Sequence, residues 1–149
     1  NGVRIDLIVR GICTLRPGIV GVSDNITVRS IVGRFLEHHR LFYFRNGGNE
    51  KIFLSSADWM PRNLNERVEL MIPIEDKRHK ARIKGILDLY LVDTLKAHLM
   101  RADGSYYKVS NIEGPLSAQE ELMEAANTQD SREQMTVIER FKPMFKMKE

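Results

Sequence analysis

Two histidines stand side by side in the run Arg34-Phe35-Leu36-Glu37-His38-His39-Arg40, just ahead of the aromatic stretch Leu41-Phe42-Tyr43-Phe44. An imidazole with an unperturbed pKa near ~6.5 can move a proton or hold an anion at neutral pH. Neighbours on extended chain point to opposite faces, so only one of the pair can serve a given pocket. Arg40 lies two residues beyond His38 and shares its side. A second group with chemical potential is Ser55-Ser56-Ala57-Asp58-Trp59. Its hydroxyls and carboxylate suit catalysis, but equally suit a turn or a helix cap. Among the other histidines, His79 falls in the charged run Lys77-Arg78-His79-Lys80 and reads as solvated, and His98 sits at a hairpin edge.

The basic residues are unevenly chosen. Residues 1–67 hold nine arginines and one lysine, whereas the remaining 82 residues hold eight lysines and five arginines. Either type serves solubility, so the switch needs another reason. A guanidinium is a planar fork that grips phosphate or carboxylate in two places. A phosphate-rich polyanion is the matching ligand; a lineage preference for arginine is the bland alternative. Glu69, one residue beyond Arg67 and Val68, could orient that arginine or simply pair with it. Several constellations are absent. There is no glycine loop followed by lysine to cradle a nucleotide, and Cys13 lacks the arginine of a cysteine phosphatase. No His/Cys cluster has metal-ligand spacing. Phe42, Tyr43 and Phe44 read as core rather than as base-stacking groups, so no nucleic-acid partner is expected.

These side chains need elements to carry them. Val3 to Val9 is apolar on nearly both faces and reads as a central strand. Ile26 to Val32 is β-branched and strand-like. Leu41–Phe44 and Lys51–Leu54 flank Asn46-Gly47-Gly48-Asn49, a hairpin signal that brings the His38 end of one strand beside Ser55–Asp58 at the end of the other. Trp59 to Asn65, broken by Pro61, reads as irregular, and Arg67 to Ile72 as a strand stopped by Pro73. Ile83, Ile86, Leu87, Tyr90, Leu91 and Leu95 recur at helical spacing over about 78–95. Asp103-Gly104 marks a second hairpin within 98–109. Ser117-Ala118-Gln119-Glu120 is a capping box opening a helix to about Asn127. The pattern predicts an α/β or α+β domain with a mixed sheet covered by helices. Residues 1–95 form its core, and a C-terminal hairpin and helix are appended.

With 149 residues, 42% hydrophobic and 29% charged, the chain can bury a core without a disulfide or metal staple. One cysteine makes a reducing, cytoplasmic setting the expectation, and peripheral attachment to a membrane is compatible with it. No run reaches the ~18 apolar residues that span a bilayer. The chain opens at Asn1-Gly2, without methionine and directly into an apolar run, as a piece of a larger polypeptide would. The segment 111–134 is acidic and 141–149 basic.

Four motifs in order then carry a family resemblance: Asp6-Leu7-Ile8-Val9-Arg10-Gly11-Ile12-Cys13, Ser30 to His38, Phe44-Arg45-Asn46-Gly47-Gly48, and Leu54 to Leu64. Over residues 2–109 the chain resembles the C-terminal domain of polyphosphate kinase, the type with two phospholipase-D-like domains. The resemblance implies a phospholipase-D-like domain over 1–109 and a helical, basic tail over 110–149. It implies a magnesium-dependent enzyme that reversibly moves the terminal phosphoryl group of ATP onto inorganic polyphosphate. The phosphohistidine would lie on a preceding domain, and the magnesium ligands would not be in this chain. His38 matches the family's second active-site histidine and Arg10 an arginine on the nucleotide phosphates. Arg40 takes the place usually held by lysine. Ser56 and Asp58 match the polar pair of the following strand, and Arg62 and Arg67 supply further positive charge. ATP or ADP, polyphosphate and the remaining domains of a homo-oligomeric enzyme are the implied partners, and the isolated piece is expected to be inactive. Two rivals remain: a phosphodiesterase or nuclease half-site of the same superfamily, and a non-catalytic phosphate-binding module.

Overall fold

The structure, a computed structural model, describes residues 2–109 and 114–127. Among these the chain forms two units, one built from residues up to Leu36 together with those from Asp88 onward, the other from Glu37–Leu87. The expected boundary at 109/110 meets residues outside the described ones, the basic segment 141–149 lies wholly outside them, and of the acidic segment 111–134 residues 114–127 are described.

In the first unit, the β-branched run forms β2 (Ile26–Ile31), flanked by β1 (Ile5–Ile8) and β6 (Ala97–Met100), with β7 (Tyr106–Lys108) beyond. β1 and β2 are parallel and the other pairings antiparallel, so the sheet is mixed as the sequence predicts. Val28 and Ile31 of β2 are buried with Leu89, Tyr90, Ala97, Leu116 and Ala118. Two expectations are corrected. Among the described residues β1 is an edge strand rather than a central one, and Val3 and Ile5 are exposed. Apolar character on both faces signals burial but does not name the neighbour. The hairpin β6–β7 is no appendage, because Arg29, Ser30 and Ile31 of β2 pair with Leu99, His98 and Ala97 of β6.

A buried carboxylate ties this unit together. Asp93 is fully buried; its Oδ1 accepts from the N–H of Lys96 at 2.7 Å and Ala97 at 2.9 Å, and its Oδ2 from Ala118 at 2.8 Å. Its backbone carbonyl accepts from Arg29 Nη1 at 2.8 Å. The carboxylate therefore joins the end of α2 (Lys77–Val92), the start of β6 and the start of α3 (Ala118–Asn127). The Ser117 hydroxyl caps α3 by accepting from Glu120 N–H at 3.4 Å, as the capping-box pattern predicts.

In the second unit, β3 (Arg40–Phe44), β4 (Lys51–Ser55) and β5 (Met71–Ile74) make an antiparallel sheet in that order. The turn between β3 and β4 needs left-handed backbone at Asn46, Gly47 and Gly48, the residue types that tolerate it. Register sets Arg40 opposite Ser55 and Phe42 opposite Phe53. Two further readings are corrected. The segment around Pro61 is helical, α1 (Pro61–Glu66), because proline is pre-organised for the first helical position. Pro73 lies inside β5, opposite Phe53, which an edge strand tolerates; Arg67 and Glu69 precede that strand. α2 starts in this unit, and Asp76 caps it by accepting from the N–H groups of Arg78 and His79. Its first turn, Lys77 to Lys80, carries basic side chains and no acid. Lys80 donates to the Glu50 carbonyl, and Lys84 sits over the Tyr43 ring. No described helix is long and apolar enough to cross a membrane.

Asp93→Ala leaves three backbone N–H donors, two of them buried, without their acceptor, and the expected loss of unfolding free energy is about 3–5 kcal/mol. Chemical denaturation of the chain measures it. A loss of under about 1 kcal/mol, the scale of one ordinary hydrogen bond, would show that the carboxylate is not the tie described.

Candidate functional site

The hairpin register carries the site. Arg40 opens β3 opposite Ser55, the last residue of β4, so the chain leaving β4 passes the Arg40 side chain. Both Nε and Nη2 of Arg40 lie 2.8 Å from Oδ1 of Asp58, and the guanidinium is largely buried at 19% exposure. The next residue, Trp59, stacks on Phe42 with ring centroids 5.7 Å apart. Residues 58 and 59 are thus anchored on residues 40 and 42, alternate positions of one strand and so one face. Ser55 tightens the same turn by accepting from Ala57 N–H at 3.1 Å.

The remaining Arg40 nitrogen, Nη1, lies 3.3 Å from Nδ1 of the exposed His38. A guanidinium only donates, so His38 Nδ1 must accept. In the neutral ring the proton then sits on Nε2, leaving an N–H donor at the outward nitrogen. His39 takes the alternative side, with Nδ1 3.5 Å from Glu37 Oε2. One histidine of the pair joins the Arg40–Asp58 group, and the other does not.

A second cluster lies on the loop leading to β5. The Ser56 hydroxyl donates to Glu69 Oε2 and accepts from Leu70 N–H at 2.9 Å. Asn63 of α1, only 4% exposed, donates from Nδ2 to Glu69 Oε1 at 2.9 Å. The hydrogen bond from Ser56, joined by that from Asn63, holds the Glu69 carboxyl below the usual carboxylate range; the charges of Arg67 and Arg40 act in the same direction. Glu69 therefore stays ionised and faces positive charge.

The sequence-derived residues divide as follows. His38, Arg40 and Asp58 meet directly, and Ser56 belongs to the Glu69 cluster. Arg62 is exposed on α1 and Arg67 on the loop just after it. Arg10 is exposed past the end of β1 and belongs to the other unit. Asn63 was missed, because its segment reads as irregular around Pro61 and gives no cue that an amide there is buried. Among the described residues no three His, Cys, Asp or Glu side chains converge in a way that could hold a metal ion. The two acids near the site are already engaged by Arg40, Ser56 and Asn63. These residues do not fit a resident magnesium ion.

Known proteins place this arrangement in context. The family model described as Polyphosphate kinase C-terminal domain 2 matches residues 1–119. Polyphosphate kinase from Pseudomonas aeruginosa is 57% identical over 125 residues, covering 83% of this chain and 18% of that protein. Polyphosphate kinase from Pseudomonas syringae pv. tomato is 60% identical over 108 residues, covering 72% and 15%. A crystal structure of polyphosphate kinase from Porphyromonas gingivalis superimposes with a TM-score of 0.82 at 40% identity, covering 91% of this chain and 20% of that one. The chain thus spans under a fifth of the length of the two Pseudomonas relatives. The motifs around Arg10, His38, Asn46 and Asp58 belong to one long match, and the chain is a member of the polyphosphate kinase family, corresponding to its second C-terminal domain.

Proposed function

We propose that this domain supplies phosphate-binding groups to a polyphosphate kinase that transfers the terminal phosphoryl group of ATP to inorganic polyphosphate. The overall exchange converts ATP and a polyphosphate chain into ADP and a chain longer by one phosphate. The transferring phosphohistidine would lie on a preceding domain of the longer polypeptide. Phosphoryl transfer spreads negative charge over the equatorial oxygens and asks the protein for positioning and positive charge more than for covalent chemistry.

The observation that carries this reading is Arg40 bridging Asp58 and His38. A free arginine would sample many conformers; one held by two nitrogens on a carboxylate is fixed before the ligand arrives. The arginine also fixes the histidine tautomer. With Nδ1 accepting from Arg40, His38 offers Nε2–H, a donor suited to a phosphate oxygen. That favours phosphate binding over nucleophilic attack or proton abstraction at the same nitrogen. Arg10, Arg62 and Arg67 add exposed positive charge, and Arg10 is assigned to the nucleotide phosphates by its motif position. Magnesium would enter with the nucleotide.

In the full-length enzyme, His38→Ala is expected to lower ATP-dependent polyphosphate synthesis roughly 100-fold, the scale of losing one charge-stabilising donor. Synthesis within about twofold of wild type would remove His38 from the chemistry and leave the domain a passive phosphate binder. The isolated chain, lacking the phosphohistidine, is expected to show no ATP-dependent chain growth; radiolabelled chain extension by the purified chain would overturn the shared-site reading. Hydrolysis of a generic phosphodiester by the full-length enzyme, abolished by His38→Ala, would instead favour the phosphodiesterase reading.

A further inference from the structure

The first unit contains a cavity of about 120 Å³ whose lining includes Arg4, Asp6, Thr27, Arg29, Leu91 and Leu99. Register explains the grouping. Asp6 of β1 stands opposite Thr27 of β2, and Arg29, two residues further on, stands opposite Leu99 of β6. Side chains two apart on a strand share a face, and so do partners across a ladder. Leu91, in the last turn of α2, adds an apolar wall.

Arg29 is the unusual member of this group. Its Nη1 donates to the backbone carbonyl of Asp93 at 2.8 Å, a neutral acceptor. Among the described residues no carboxylate lies within ion-pair distance of its guanidinium. Burial pushes its pKa down, and the more distant charges of Asp93 and Asp6 act against that. The acid of the cavity is committed elsewhere: Asp6 Oδ2 lies 3.1 Å from Arg4 Nε, and Oδ1 lies 3.3 Å from Arg4 Nη2. A half-buried guanidinium without a counter-ion is costly, and its other nitrogens remain donors in a fixed fork. The Thr27 hydroxyl supplies another donor on the same face.

Two guanidinium groups against one carboxylate leave the cavity with an excess of positive charge. Its volume limits what can answer that charge. Pockets for drug-sized molecules start at roughly 300 Å³, so a nucleotide is too large, whereas one tetrahedral oxyanion fits. We propose that this cavity binds a single phosphate group, held by the Arg29 guanidinium and the Thr27 hydroxyl. None of its residues belongs to the His38 group, and the inference stands without the function proposed above. Free inorganic phosphate and the last group of a phosphate chain offer the same chemistry, and the experiment separates them. Because the same guanidinium holds the Asp93 carbonyl, a bound anion steadies the end of α2.

Crystals of full-length polyphosphate kinase carrying this domain are soaked in graded selenate, a tetrahedral oxyanion located by its anomalous scattering. A peak is expected in the cavity, about 3 Å from an Arg29 nitrogen and from the Thr27 hydroxyl. Inorganic phosphate in the soak is expected to displace it. Displacement by tripolyphosphate as well assigns the site to chain ends, and displacement by phosphate alone assigns it to the free ion. Arg29→Gln, which removes the fork, is expected to raise the half-saturating selenate concentration about tenfold, and Thr27→Val about threefold. Asp6→Asn, which withdraws the acid, is expected to lower it about threefold, a gain that lost packing does not produce. In solution, phosphate is expected to raise the thermal midpoint of Asp6→Asn more than that of wild type, and that of Arg29→Gln less.

No peak in the cavity, or one that phosphate does not displace, overturns the proposal. A peak whose half-saturation stays within about twofold of wild type in both Arg29→Gln and Asp6→Asn marks an adventitious ion only, and overturns it equally. Should Arg29→Gln not fold, Asp6→Asn and Thr27→Val, both at exposed positions, carry the comparison.

Discussion

The first unit depends on one buried carboxyl group that ties its elements together. Asp93 is fully enclosed, and its carboxylate is held by three backbone N–H groups from two different elements, β6 and α3 with their approaches. A polar side chain in that position is tolerable only when its oxygens are hydrogen-bonded, so Asp93 dictates where those elements begin. From it the order runs outward: Asp93 sets Ala118, α3 presents Gln119, and Gln119 holds Phe35. The helix that looks terminal in the sequence is thus part of what fixes the middle of the chain.

The second unit uses a carboxylate differently. Asp58 is part-exposed and paired with a guanidinium that could otherwise bind a ligand. The pair gives up some positive charge at Arg40 and gains a defined direction, because the third nitrogen is left aimed at His38. Glu69 acts similarly on the loop, fixed by Ser56 and Asn63 and lying within the field of Arg67 and Arg40. The arginine-rich composition of residues 1–67 therefore does not amount to a uniformly free positive surface. Arg40 is oriented by an acid, while Arg62 and Arg67 are exposed on α1 and the loop after it.

Much of the second unit was legible before the structure. The Asn46-Gly47-Gly48 run demanded a turn, the turn set the register, and the register brought Asp58 to Arg40. α2 was legible from the apolar spacing of Ile83 to Leu91. What failed had local causes that mislead or long-range causes that are silent. Pro61 reads as a breaker, yet it begins α1; Pro73 reads as a stop, yet it sits in an edge strand. β1 is apolar enough for a sheet centre but lies at the edge of the four-stranded sheet among the described residues. Asn63 and Gln119 are ordinary polar residues in sequence; their partners lie 6 and 84 positions away, and only the folded chain shows that both are buried. The family motifs identified His38 and Arg10 as residues to watch without saying how either would be held.

The start of α2 has a further consequence. Lys77, Arg78 and Lys80 bring positive charge into its first turn, where the helix dipole disfavours it, while Asp76 ahead of them pairs with Arg78. Added electrolyte screens the repulsion among these side chains and the attraction of Arg78 to Asp76 alike. The part-exposed attraction between Arg40 and Asp58 weakens under the same conditions. Ionic strength therefore acts at two places in one unit, on the charged start of its long helix and on the carboxylate that gives Arg40 its direction.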